Sequence, residues 1–141
     1  MKCAGTRITI CLLLTISPLF AQGESQRLMK ADVPFGFGVE DCSLPAGEYS
    51  IFAATPDRTI RIVSTDGKYS VVVNTLLNYA EKPATNSRLV FHKYGDEYFL
   101  AQVWTAGQKL ARNPLSSKRA MVIASSGAKP ETKIVVALPG P

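Results

Sequence analysis

His92 is the single imidazole in a chain of 141 residues, so any acid–base or nucleophilic chemistry has to begin there. A triad would need that ring beside a Ser or Cys and an orienting carboxylate. No G-x-S-x-G elbow occurs to present such a nucleophile. The cysteines, Cys3, Cys11 and Cys42, stand at no metal-ligand spacing from His92, so neither a metal nor a cofactor is expected. Two carboxylate pairs, Glu40-Asp41 and Asp96-Glu97, could share acid and base roles if an apolar pocket raised one of them. Asp96-Glu97 sits in an apparent tight turn, where Asp has a backbone role, Glu40-Asp41 precedes another turn, and neither has an evident apolar pocket. A hydrolase around His92 and Asp96 is the enzymatic alternative, and the residue types favour binding over catalysis.

Material for binding is more plentiful. Tyr94, Tyr98 and Trp104, together with His92, lie on one apparent hairpin and form the candidate ligand set. Aromatic groups there could line a cleft for a small apolar ligand or stack on a sugar. The plainer reading makes them the core of a small β domain. A second candidate is the basic C-terminal quarter. From Thr105 onward the bases Lys109, Arg112, Lys118, Arg119, Lys129 and Lys133 face the single acid Glu131. Lys109, Arg112, Lys118 and Arg119 are the candidate contacts with an anionic surface. Spread as they are, these charges also suit a merely solvated face.

The elements that must hold these groups begin after an export signal. Lys2 and Arg7 precede an apolar run from Ile8 to Phe20, closed by Pro18 and the small residues Ala21 and Gly23. That layout predicts a signal peptide over 1–23, cut after Gly23 or after Ala21, and a periplasmic or extracellular destination. The run is shorter than the roughly 20 residues a bilayer span needs. No transmembrane span is expected once it is removed. Nucleic acid is disfavoured as a partner by compartment, leaving an envelope protein or an anionic surface. Removal of the leader would leave Cys42 as the one cysteine of the mature chain, read as a small buried hydrophobe with a reactive thiol or an intermolecular staple as the rivals.

Residues 24–138 read as a single β domain, with 139–141 a frayed end. In Val33-Pro34-Phe35-Gly36-Phe37-Gly38-Val39 the large residues alternate with Pro and Gly. The glycine face would let an aromatic ring or another backbone approach closely. Leu44-Pro45-Ala46-Gly47 has the residues of a type I turn. Thr59–Ser64 and Tyr69–Leu77 flank Asp66-Gly67, and a two-residue type I′ loop there sets Ile62 against Val71 and Ile60 against Val73. Arg88–Tyr94 and Glu97–Trp104 flank Gly95-Asp96 in the same way, with His92 opposite Phe99. Strict alternation puts Leu89, Phe91, Tyr98, Leu100 and Trp104 on one face and Val90, His92, Tyr94, Phe99, Ala101 and Val103 on the other. Apolar groups on both faces predict a central hairpin. Thr105–Ser117 reads as loop, Ser117–Ala124 as a short serine-capped helix, and Lys133–Leu138 as a last strand. The sum is mainly β: a small antiparallel β-sandwich or partly closed barrel of about seven strands, with a short C-terminal helix.

The ordered segments Val33–Phe37, Leu44–Tyr49 and Leu89–Trp104 carry the patterns V-P-F-x-F, L-P-A-G-x-Y and F-H-x-Y-G-D-x-Y-F-L-x-x-W. In these the chain resembles an uncharacterised family of small exported proteins abundant in acidobacteria. The likeness implies export and a β fold. It implies no activity.

Overall fold

A computed structural model describes residues 26–54 and 58–139. The expected leader at 1–23 lies outside the described residues, as do Gly140 and Pro141 of the expected frayed end. The chain is mainly β, with ten strands and one helix among the described residues. They are β1 (Gln26–Val33), β2 (Phe37–Val39), β3 (Cys42–Leu44), β4 (Gly47–Ala54), β5 (Thr59–Ser64), β6 (Ser70–Tyr79), β7 (Arg88–Tyr94), β8 (Glu97–Trp104), β9 (Leu110–Pro114), α1 (Lys118–Ser125) and β10 (Glu131–Val136).

Antiparallel pairing runs β1-β4-β5-β6-β9-β8-β7-β10. The long strand β6 serves both halves: Ser70–Asn74 pairs with β5 and Thr75–Tyr79 with β9. The last strand then returns to the first, where the Leu138 N–H donates to the Lys30 carbonyl at 2.8 Å. The sheet is thus that of a small β-sandwich or partly closed barrel, with a seam between β1 and the residues that follow β10. The β2–β3 hairpin joins from the side through a parallel contact of Gly38 with Phe99. At that pairing a Cβ on residue 38 would lie 2.9 Å from Phe99 Cδ1, so the glycine face does admit an aromatic ring.

The strands form where alternation supplies an inward face. Met29, Ala31 and Val33 of β1, Tyr49 and Ile51 of β4, Ile60 and Ile62 of β5, and Val73 of β6 are buried together with Leu89, Phe91, Leu100 and Val103. Phe37 and Val39 extend this core from β2, and Phe35, Phe37 and Phe91 meet edge to face. Each such aliphatic side chain contributes about 1.5–3 kcal/mol on burial. Tyr49 reaches through the core to donate from its hydroxyl to the Pro45 carbonyl at 2.5 Å.

Several expectations are corrected. Val33–Val39 is not one strand: β1 ends at Val33, and β2 resumes at Phe37 on the same inward face. The β5–β6 register is Ile60 with Val73 and Ile62 with Val71, as the alternation requires. Its turn differs, however. A four-residue loop, Thr65–Lys68, is closed by Gly67 N–H to the Ser64 carbonyl, and of its residues only Gly67 has positive φ. The Asp66 carboxylate makes that loop possible by accepting from the Lys68 N–H and the Ser64 hydroxyl.

The β7–β8 hairpin has its two-residue Gly95-Asp96 turn and its His92–Phe99 pair. A bulge in β8 beside Val90 and Phe91 then shifts the pleat. It turns Val103 inward against Leu89 and sends Trp104 to the outer face opposite Arg88. The expected loop 105–117 contains β9, and Arg112 within it is only 7 % exposed. In the full chain Cys42 is half-buried, not fully buried as expected, and disulfide-bonded; the lone thiol is expected of a chain without Cys3 and Cys11, which lie outside the described residues.

Candidate functional site

Helix α1 organises the outer surface of the sheet. Its start is fixed twice: the Ser117 hydroxyl accepts from Ala120 N–H at 3.0 Å, and Asp41 Oδ1 accepts from Lys118 N–H at 3.3 Å. Both bonds satisfy donors that a helix start leaves without partners. Arg119 forks onto Glu97 with Nε on Oε1 and Nη2 on Oε2. That pair holds the Arg119 guanidinium above its ordinary pKa. No residue of the helix is buried, and Val122 is 67 % exposed. Its attachment is therefore mainly polar and confined to its first turn.

Two hollows flank this helix. The larger, about 710 Å³, lies between the β2–β3 hairpin, the β7–β8 turn and the start of α1. Phe37, Tyr98 and Phe99 supply its apolar part, and Glu40, Asp41, Asp96, Glu97, Lys118 and Arg119 its charged part. Most of those charges already have partners. Asp41 and the Arg119–Glu97 pair hold the helix, while Glu40 Oε1 accepts from Asn74 N–H at 3.1 Å. That amide stands where β6 leaves β5 for β9. Glu40 is the one non-glycine residue with positive φ, 51°, among the described residues. Asp96 and the Lys118 ammonium make no hydrogen bond or ion pair with described residues, so they are the groups open to a ligand.

The smaller hollow, about 330 Å³, separates α1 from the outer faces of β7, β8 and β9. His92, Tyr94, Phe99 and Asn113 line it from the sheet, and Ala120, Met121 and Ala124 from the helix. Gly38, Glu40, Phe99 and Ser117 border both hollows.

The candidate ligand set is therefore divided. His92 and Tyr94 line the smaller hollow, and Tyr98 lines the larger. The Tyr98 ring is stacked on Phe35 at 3.8 Å, with Lys93 Nζ 5.6 Å from its centroid, so its π-system already has two partners. Trp104 borders neither hollow; Arg88 covers its ring at 5.0 Å and Gln102 accepts its indole N–H. The basic set is divided as well. Lys109 and Lys118 are exposed, Arg119 is exposed but paired with Glu97, and Arg112 is buried in β9. No hydrogen bond or ion pair joins His92 to a carboxylate among the described residues. None of them form a group of three or more His, Cys, Asp or Glu suited to a metal ion. Sequence reasoning missed Asn113, Met121 and Ala124; nothing in their spacing marks them before the helix is laid on the sheet.

No protein-family model matches this chain, and no curated protein or solved structure is significantly similar to it. No helix among the described residues is long and apolar enough to cross a membrane.

Proposed function

We propose that this is an exported, non-catalytic binding protein of the periplasm or medium, kin to the acidobacterial family its motifs resemble, and that it holds a small polar molecule such as a sugar. The observation that carries the reading is the hollow of about 710 Å³, with an apolar floor and Asp96 and Lys118 unpartnered on its wall. A ligand site of 300–1,000 Å³ combines these features: apolar lining for contact area and a few polar groups for orientation. A carboxylate accepts from sugar hydroxyls and an ammonium donates to them. The anionic-surface reading has less behind it, since Arg112 is buried and Arg119 already has a carboxylate. A protein partner is the second reading, favoured by the exposure of Val122 on a helix with no buried residue.

Native mass spectrometry of the mature protein from its producing cells tests the first reading. An added mass of a few hundred daltons, lost from Asp96→Ala and Lys118→Ala together, is the expected result. A bare chain in every preparation, or an adduct indifferent to both changes, overturns it. A protein-sized addition supports the partner instead.

A further inference from the structure

We infer that the smaller hollow beneath α1 is a distinct binding site for a small, flat, apolar molecule carrying one hydrogen-bond donor, of the phenol or indole class. Its walls are mixed: Phe99 and Leu100 below and Met121 and Ala124 above supply carbon, while Glu40, Ser116 and Ser117 add polar groups at its border. Into this setting the sheet brings polar groups without partners. Asn113 Oδ1 is shielded from solvent and accepts no hydrogen bond. The His92 imidazole and the Tyr94 hydroxyl, both half-buried, make none with described residues either. An unmet buried acceptor carries a desolvation cost that a donor from a ligand would remove. An apolar hollow with a few convergent polar groups is the usual form of a small-molecule site. A volume of about 330 Å³ suits a one- or two-ring compound rather than a lipid chain or a peptide.

The helix gives the site a way to fill. Since α1 is held mainly at its first turn, its later turn can shift over Asn113 without costing buried apolar area. The orphan acceptor also sets specificity. A pocket with an unpaired polar group discriminates strongly between a molecule that pairs it and one that does not.

The experiment compares indole with naphthalene, similar in shape but lacking the N–H, by two-dimensional amide NMR titration of the mature protein. Indole is expected to shift the amides of Ala101, Asn113, Met121 and Ala124 and to bind at least about tenfold tighter than naphthalene. Asn113→Leu is expected to erase that preference while both compounds still bind. Ala124→Phe, which fills the hollow from an exposed helix position, is expected to abolish binding with the remaining amide spectrum retained. Equal binding of the two compounds, shifts confined to Gly36, Asp96 and Lys118, or no shift at saturating indole would each overturn the inference. Failure here leaves the larger hollow untouched, because its test uses a different ligand class and different variants.

Discussion

Gly38→Ala is the sharpest test of how the β2–β3 hairpin is seated. The new Cβ would stand 2.9 Å from Phe99 Cδ1 and 3.2 Å from Cε1. Carbon pairs rest near 3.5–4.0 Å, so the ring must recede by about 0.6 Å or more. Tyr94 meets the ring edge-on with centroids 6.1 Å apart, so a retreat of the ring also disturbs that contact. Overpacking of this kind costs about 1–3 kcal/mol. Replacing a strand glycine by alanine returns roughly 0.5–1 kcal/mol of backbone entropy, so the clash wins and the variant is destabilised. In a domain of this size each kcal/mol lowers Tm by roughly 3–6 °C. Urea unfolding of wild type, Gly38→Ala, Phe99→Leu and the double variant forms a cycle. The expected coupling is about 1 kcal/mol or more, with the double variant more stable than the two single effects predict. Additive effects, or a Gly38→Ala protein as stable as wild type, would refute the close approach.

Three more outcomes follow from the same coordinates. Burial, with smaller contributions from Tyr69 and Asp66, pushes the Tyr49 phenol from 10 up to about 12; stability from it is full below pH 10 and lost as pH rises through about 12, so Tyr49→Phe should flatten the alkaline limb of a stability–pH curve while costing about 1 kcal/mol at neutral pH. An unchanged limb would contradict the assignment. Glu40→Gly should be more stable than Glu40→Ala by about 1 kcal/mol in thermal unfolding, because both lose the bond to Asn74 N–H but only glycine is at ease at φ 51°. Ser117→Ala should cost about 1 kcal/mol and speed hydrogen exchange at the Ala120 amide, with Ser117→Asp restoring protection; equal exchange in both variants would remove the cap.

The parts of the fold that could be read from the sequence were those where two local rules agreed. Alternation and the turn's centre both fix Ile60 against Val73, although the loop there is four residues and not two, and turn and alternation together fix His92 against Phe99. A serine before an alternation-free segment marks α1. Elements were hidden where one rule was silent. Strand β9 is written Leu-Ala-Arg-Asn-Pro, with a buried Arg112 that polarity assigns to the surface and a Pro114 that propensity assigns to a loop. It is a strand because β6 and β8 each offer it an edge. The bulge in β8 has no glycine or proline to announce it, yet it decides where Trp104 points. The site fared worse for a related reason. Tyr94 and Tyr98 are neighbours across a turn, but the pleat sends them to opposite faces, a separation already implicit in their register. The opposite wall of each hollow comes from residues distant in sequence, through α1 and the β2–β3 hairpin.

The seam between β1 and β10 governs the order in which the molecule can be finished. The two strands are the first and last among the described residues, and Leu138, just past β10, forms the clasp to Lys30. Until the C-terminal residues have emerged from whatever machinery delivers the chain, that clasp cannot form. The unfinished sheet then carries raw edges, which template pairing with a second chain. Closing over so long a stretch of polypeptide is also the slow part of β folding. A chain that ends before Leu138 would therefore keep its hairpins and lose the clasp to Lys30.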